Sequence, residues 1–230
     1  MSIQKTEIAR NVFQNKLLDL EKKYFDNIYS IVESEEFEND LLSMEREIKI
    51  NYGIYSESFA RTNKINIMVE RLICHYLYMN FKDDIKGVYP SPISSDFGVR
   101  LNDCILCVDA KTININTNAV DIDSTQFEEN QNSFRNNNFS GIEIKSRLKA
   151  IDYYEGEALP ILTYIIKVIY SDDGYNFKLN KNSSKPTVVV ACIPNGELSF
   201  LFENNIVKNC KTYNYYDASD GCEPIFLIVN

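Results

Sequence analysis

The sequence predicts an α/β domain: a mixed central β-sheet flanked by helices, with a helical extension at its N-terminus. Three observations predict it. Apolar residues recur at three- and four-residue steps through the first fifty positions, the period of helices. Apolar runs rich in Val, Ile and Tyr follow at 104–112, 161–170 and 187–192, bounded by polar turns, as strands are. Between the first and second of these runs lies a long polar stretch with room for helices, so the order is helices, hairpin, polar stretch, then more strands.

Taken in chain order, residues 3 to about 34 read as a helix on Ile8, Val12, Leu17, Leu18, Tyr24, Ile28 and Ile31. A second helical piece, 36–50, carries Leu41, Leu42, Met44 and Ile48 under a densely charged outer face. Residues 64–81 read as a third helix, apolar on nearly every side and therefore expected to be buried, with Glu70 at its middle and His75 beyond. Pro90 and Pro92 mark a turn. A strand at 95–101, a tight turn at Asn102–Asp103 and a strand at 104–112 then form a hairpin. Residues 124–134 and 141–153 are read as possible helices inside the polar stretch. The runs 161–170, 187–192, 198–202 and 226–229 supply further strands. The chain of 230 residues suits one domain, with 60–230 as core and 1–50 as the extension.

Composition removes several classes. No apolar run reaches the roughly 18 residues a membrane span needs. The first residues lack the apolar centre of a secretory signal, which predicts a cytoplasmic protein. Six cysteines are expected to be buried thiols. Cys104 and Cys107 have the spacing of half a zinc site, but residues three apart on a strand face opposite ways and the chain has one histidine. The net charge of −9 opposes nucleic acid, although a divalent cation neutralises clustered carboxylates. Phosphate-binding loops, dinucleotide fingerprints and nucleophile elbows are all missing from the sequence.

The hairpin carries the chemistry. Asp109 and Lys111 are two apart on a strand and share a face, and pairing brings Asp96 beside Asp109. Two carboxylates at one spot repel, and a hard divalent cation relieves that. A neighbouring Lys111 can hold an attacking water or meet charge developing on phosphorus. Each residue also has an ordinary reading. Asp96 suits a turn, Asp109 and Lys111 suit a charge pair on a sheet face, and Glu70 suits a salt bridge to Arg61 or Lys64. Against the second stands the apolar run preceding Asp109, typical of a strand covered on both faces.

These residues resemble the PD-(D/E)xK nuclease superfamily, and within it the type II restriction endonucleases. The pattern reads Ser95-Asp96, twelve intervening residues, then Asp109-Ala110-Lys111, with Glu70 on the preceding helix. Ser95 stands where the family often has proline. The resemblance implies a prokaryotic double-stranded DNA endonuclease using Mg²⁺, with Mn²⁺ as a substitute. It implies that Asp96, Asp109 and the Ala110 carbonyl bind metal, that Lys111 orients water, and that Glu70 is a further carboxylate of the site. A palindromic target implies a homodimer, for which residues 1–50 are a candidate interface.

Base recognition is expected from the polar stretch, since Asn and Gln bond adenine bidentately and Arg bonds guanine. The candidates are Asn114, Asn116, Asn118, Gln131, Asn132, Arg135, Asn136, Asn137 and Asn138, and a solvated loop is the competing reading. Lys145, Arg147 and Lys149, and the lysines at 178, 181 and 185, are candidates for phosphate contact. Tyr213, Tyr215 and Tyr216 suit a groove-facing loop or ordinary packing. A repair or junction nuclease, an antiphage effector and a non-catalytic DNA-binding module remain alternatives.

Overall fold

The computed structural model describes residues 2–54, 64–89, 95–116 and 151–193, with short strands at 124–125, 138–139, 142–143, 213–214 and 225–229. Three long helices precede the sheet: α1 (Ser2–Val32), α2 (Glu35–Ile50) and α3 (Lys64–Phe81). The strands are β1 (Gly87–Val88), β2 (Phe97–Arg100), β3 (Ile105–Asn114), β4 (Ser124–Thr125), β5 (Asn138–Phe139), β6 (Ile142–Glu143) and β7 (Ile151–Tyr154). They continue with β8 (Glu157–Asp172), β9 (Phe177–Leu179), β10 (Lys181–Asn182), β11 (Lys185–Pro186), β12 (Val188–Ile193), β13 (Tyr213–Asn214) and β14 (Ile225–Val229).

The central sheet runs β1-β2-β3-β8-β12-β14, with β7 and β9 also on β8. β3 and β8 are parallel and the other pairings are antiparallel, so the sheet is mixed as expected. The parallel register sets Asp109 beside Ile165 and Lys111 beside Lys167. Period-2 alternation divides the faces. Leu106, Val108, Ala110, Leu162, Tyr164, Ile166 and Val190 join the buried residues of all three helices in one core. Ile105, Cys107, Leu159 and Ile161 form a second cluster on the other face. Cys104 belongs to the first cluster and Cys107 to the second.

The N-terminal helices spend their apolar stripes on this sheet. α2 buries Phe37, Leu41, Met44, Glu45 and Ile48, one helical face, and Ser34 caps it by accepting the Phe37 amide hydrogen at 3.3 Å. In α1, Tyr24, Ile28 and Ile31 are buried, and the Glu21 carbonyl accepts the buried Tyr164 hydroxyl at 2.7 Å. α1 also grips the β2–β3 hairpin at its turn. Asp103 accepts Lys23 at 2.8 Å and the Tyr24 hydroxyl at 2.6 Å. Burial alone would raise the Asp103 carboxyl, but Lys23 and Tyr24 outweigh it and hold it below its ordinary value.

Three expectations are corrected. α3 is not apolar all round in use: Ile65, Val69, Ile73, Leu77 and Phe81 are buried, whereas Ile67, Tyr78 and Met79 are exposed. His75, on the same helix, is likewise exposed, its ring edge-on to Tyr76. Apolar side chains on both faces hide the choice of face from a periodicity reading; the sheet takes one stripe only. The described parts of 141–153 are strands β6 and β7, not helix. Ile151, Tyr153 and Tyr154 favour an extended chain, and a two-residue turn with Glu155 at φ 51° and Gly156 at φ 85° folds them onto β8. Likewise, residues 124–125 form β4 rather than the start of a helix. The remainder of these stretches and the run 198–202 lie outside the described residues.

A matching turn joins β10 to β11, but both its residues are serines, Ser183 at φ 50° and Ser184 at φ 79°. Left-handed backbone favours Asn-Gly over Ser-Ser. The double change Ser183→Asn, Ser184→Gly is expected to stabilise the fold by about 1 kcal/mol. A denaturant midpoint shifted upward at unchanged slope is the measurement.

Candidate active site

The site is built where the hairpin β2–β3 meets α3. Antiparallel pairing sets Phe97 opposite Val108, so Asp96, one residue ahead of β2, falls opposite Asp109. Asp96 is exposed, yet its carboxylate oxygen accepts the Ala110 amide hydrogen at 2.7 Å. Asp109 is 9% exposed and lies 2.6 Å from the Lys111 ammonium. Asp96, Asp109 and Lys111 are thus brought together, with Asp109 and Lys111 on one face as period 2 requires.

Electrostatics mark Asp109 as the unusual group. Burial pushes its carboxyl up to about 7; Lys111 opposes the rise and Asp96 adds to it. Glu70 is half-buried and its carboxyl is raised, first by burial and then by Asp96, with Lys111 opposing. Its perturbers are the residues of the hairpin site. Arg61 and the Lys64 side chain, its alternative partners, lie outside the described residues. Cys74, one turn beyond Glu70, donates its thiol hydrogen to the Asp96 carbonyl at 3.4 Å. Thr112 donates to the Asn66 side-chain oxygen.

The donor set fits a hard divalent cation. Burial and the neighbouring Asp96 raise the cost of ionising Asp109, the penalty a cation would remove. No cluster of three or more His, Cys, Asp or Glu occurs among the described residues. Mg²⁺ does not need one, since it retains waters and takes one or two carboxylates plus substrate phosphate.

Sequence reasoning missed three neighbours. Asn66 and Cys74 were signalled only by their four-residue spacing from Glu70. Lys167, 1% exposed, stands next to Lys111 on the same sheet face. A lone lysine inside the apolar run 161–170 was its signal.

The expected DNA-reading residues fare unevenly. Asn114 is committed to the fold: its amide nitrogen donates to the Asp172 carbonyl at 3.1 Å, and its oxygen accepts the Asp172 and Asn116 amide hydrogens. Asn116 is exposed. Asn138 pairs with Glu143 in the β5–β6 ribbon and Tyr213 with Thr125 in the β13–β4 ribbon. Asn118, Gln131, Asn132, Arg135, Asn136, Asn137, Lys145, Arg147, Lys149, Tyr215 and Tyr216 lie outside the described residues. Of the other basic stretch, Lys181 is bound to Glu45 at 2.6 Å and Lys185 to Glu38 at 3.7 Å. These two lysines serve the fold.

The sequence profile of the N-terminal domain of the type II restriction enzyme MwoI matches residues 15–174, more than half of the chain. The chain belongs to the MwoI restriction-enzyme family. That membership bears out the resemblance to type II restriction endonucleases, and the matched span contains α3 and the whole hairpin site. No curated protein matches the sequence significantly. Two solved structures are similar in outline. One is tetrameric restriction endonuclease SfiI bound to cognate DNA, at 13% identity and TM-score 0.49, covering 93% of this chain and 79% of that one. The other is restriction endonuclease BglI bound to its DNA recognition sequence, at 14% identity and TM-score 0.41, covering 82% of each chain. Among the described residues no helix is long and apolar enough to cross a membrane.

Proposed function

We propose that this member of the MwoI family is a sequence-specific endonuclease that hydrolyses both strands of DNA with Mg²⁺ or Mn²⁺. The observation that carries the reading is the convergence of Asp96, Asp109 and Lys111 within a family of restriction enzymes. Asp96, Asp109 and the Ala110 carbonyl would hold the cation. Bound there, it would supply Lewis-acid polarisation of the scissile phosphate and ease deprotonation of the attacking water.

The chain's own residues do the rest. The Ala110 amide fixes the Asp96 carboxylate. Lys111, released from Asp109, holds the attacking water by hydrogen bonding and meets charge developing on the phosphate. Glu70 adds a carboxylate on the helix side. Water oxygen bonds to phosphorus as one of its protons passes to solvent, the bond to the 3′ oxygen breaks, and that oxygen takes a proton from solvent. The products carry 5′-phosphate and 3′-hydroxyl ends. The protein acts as a homodimer in a prokaryotic cytoplasm, one site per strand of a palindrome. From Leu17 onward the buried stripes of α1 and α2 are used within the chain, so a dimer contact through residues 17–50 would employ their outer faces.

The test is digestion of unmethylated phage DNA with Mg²⁺, beside EDTA and Asp109→Asn. Discrete metal-dependent bands, absent from the variant, are expected. Cleavage confined to branched DNA would favour a junction nuclease. Absence of all cleavage, with Mn²⁺ binding also lacking, would favour a non-catalytic module.

Asp109 also predicts a pH dependence. Its carboxyl must lose a proton to take a cation. Mn²⁺ affinity is therefore expected to fall about tenfold per pH unit below about 7 and to level off above it. Calorimetry between pH 5.5 and 8.5 without DNA checks this; an affinity flat across that range overturns it.

A further inference from the structure

Asn66, Glu70 and Cys74 are four residues apart and form one ridge along α3. The two ends of that ridge are tied to different strands of the hairpin. At one end Thr112 of β3 donates its hydroxyl to Asn66. At the other, the Cys74 thiol donates to the main-chain carbonyl of Asp96, just ahead of β2. Glu70 lies midway, half-buried, and its surroundings are the charges of Asp96 and Lys111. Below the ridge, Ile65, Val69, Ile73 and Leu77 pack into the core, a contact that fixes the depth of the helix. Apolar packing leaves small slides and rotations open, whereas two hydrogen bonds to two strands close them. The Cys74 bond also holds the backbone of Asp96, whose carboxylate the Ala110 amide holds.

We propose that Asn66 and Cys74 are positioning residues that pin the Glu70 ridge to both strands of the hairpin and thereby set the affinity of the carboxylate site for a divalent cation. The inference rests on the metal-dependent reading above. It gives the two residues separate tasks. Cys74 sets Asp96 directly, and Asn66 sets the rotation of α3 that presents Glu70.

The test uses the full chain and Mn²⁺ alone, with three variants: Cys74→Ala, Cys74→Ser and Asn66→Ala. Calorimetry reads Mn²⁺ affinity and thermal melting reads the fold. Loss of a bond that orients a metal ligand typically costs about 10- to 100-fold in metal affinity or activity. Cys74→Ala is expected to weaken Mn²⁺ binding about tenfold, the lower end of that range. Cys74→Ser keeps a donor for the Asp96 carbonyl and is expected to recover most of the loss. Asn66→Ala is expected to weaken binding as well.

A lowered melting temperature with unchanged Mn²⁺ affinity would make both residues structural and overturn the proposal. So would equal loss in Cys74→Ala and Cys74→Ser, or a wild-type protein that takes up no Mn²⁺. Should Cys74→Ala not fold, the serine variant and Asn66→Ala still decide it. Mn²⁺ binding that weakens as stated, in a protein that cuts no DNA, would sink the nuclease reading and leave the positioning role standing.

Discussion

Lys111→Ala is expected to lose DNA cleavage by about a thousandfold while keeping, or gaining, affinity for Mn²⁺. The two effects separate because Lys111 has two roles. In the metal-free protein its ammonium lies 2.6 Å from Asp109 and supplies the positive charge that the buried carboxylate needs. A cation entering the site competes with that ammonium, so removing Lys111 removes a competitor. The same change strips the site of the donor that orients water and meets developing charge, an effect confined to the transition state. Asp109→Asn should behave differently and lose cleavage and Mn²⁺ binding together. Single-turnover cleavage at saturating Mn²⁺, paired with calorimetry, distinguishes them. Should Lys111→Ala lose Mn²⁺ binding as fully as Asp109→Asn, Lys111 would be a structural counter-ion only. Cleavage within tenfold of wild type would remove it from the reaction.

The hairpin site was legible because two simple rules act together there. A period of two fixes the shared face of Asp109 and Lys111, and a short turn after Leu101 leaves little freedom in register. An acid at the end of an apolar strand then demands explanation. Elsewhere the signals were weaker in kind. α3 carries apolar residues on every side, so no periodicity could tell that His75 faces solvent while Ile73 does not. Asn114 reads like any other asparagine of the polar stretch. Only the parallel pairing of β3 with β8, which brings Asp172 alongside, shows that its amide is used by the backbone. Lys181 and Lys185 look like a basic patch until α2 packs over β9 and β11 and sets Glu45 and Glu38 against them. In each case the deciding partner is distant in sequence, and local pattern carries no information about it.

Glu45 provides the largest expected effect on stability. It sits on the buried stripe of α2 at 3% exposure, a place for an apolar residue. Its carboxylate accepts Lys181 at 2.6 Å, Lys49 at 2.8 Å and the buried amide of Leu179 at 3.1 Å. It thus joins α2 to β9 and β10 through charge and backbone at once. Burial alone would raise its carboxyl, but Lys181 and Lys49 outweigh that and hold it below its ordinary value. Glu45→Ala leaves a buried amide without an acceptor and a partly buried Lys181 without its counter-charge. The expected cost is about 3–5 kcal/mol. At roughly 2–4 °C per kcal/mol for a chain of this size, melting falls by on the order of 10 °C. Glu45→Gln keeps an acceptor for Leu179 and should lose less. The pH signature follows from the sign of the shift. A carboxyl lowered on folding contributes stability above its unfolded value, near 4.5, and loses it as the pH falls below that. Asp109, raised on folding, acts oppositely: its contribution is whole in acid and is lost as the pH climbs toward 7. Melting curves from pH 3.5 to 8 should therefore show the acid limb flattened in Glu45→Gln and the limb near neutrality flattened in Asp109→Asn. An alanine variant at position 45 that melts with the wild type would mean that packing alone, without this carboxylate, holds α2 to the sheet.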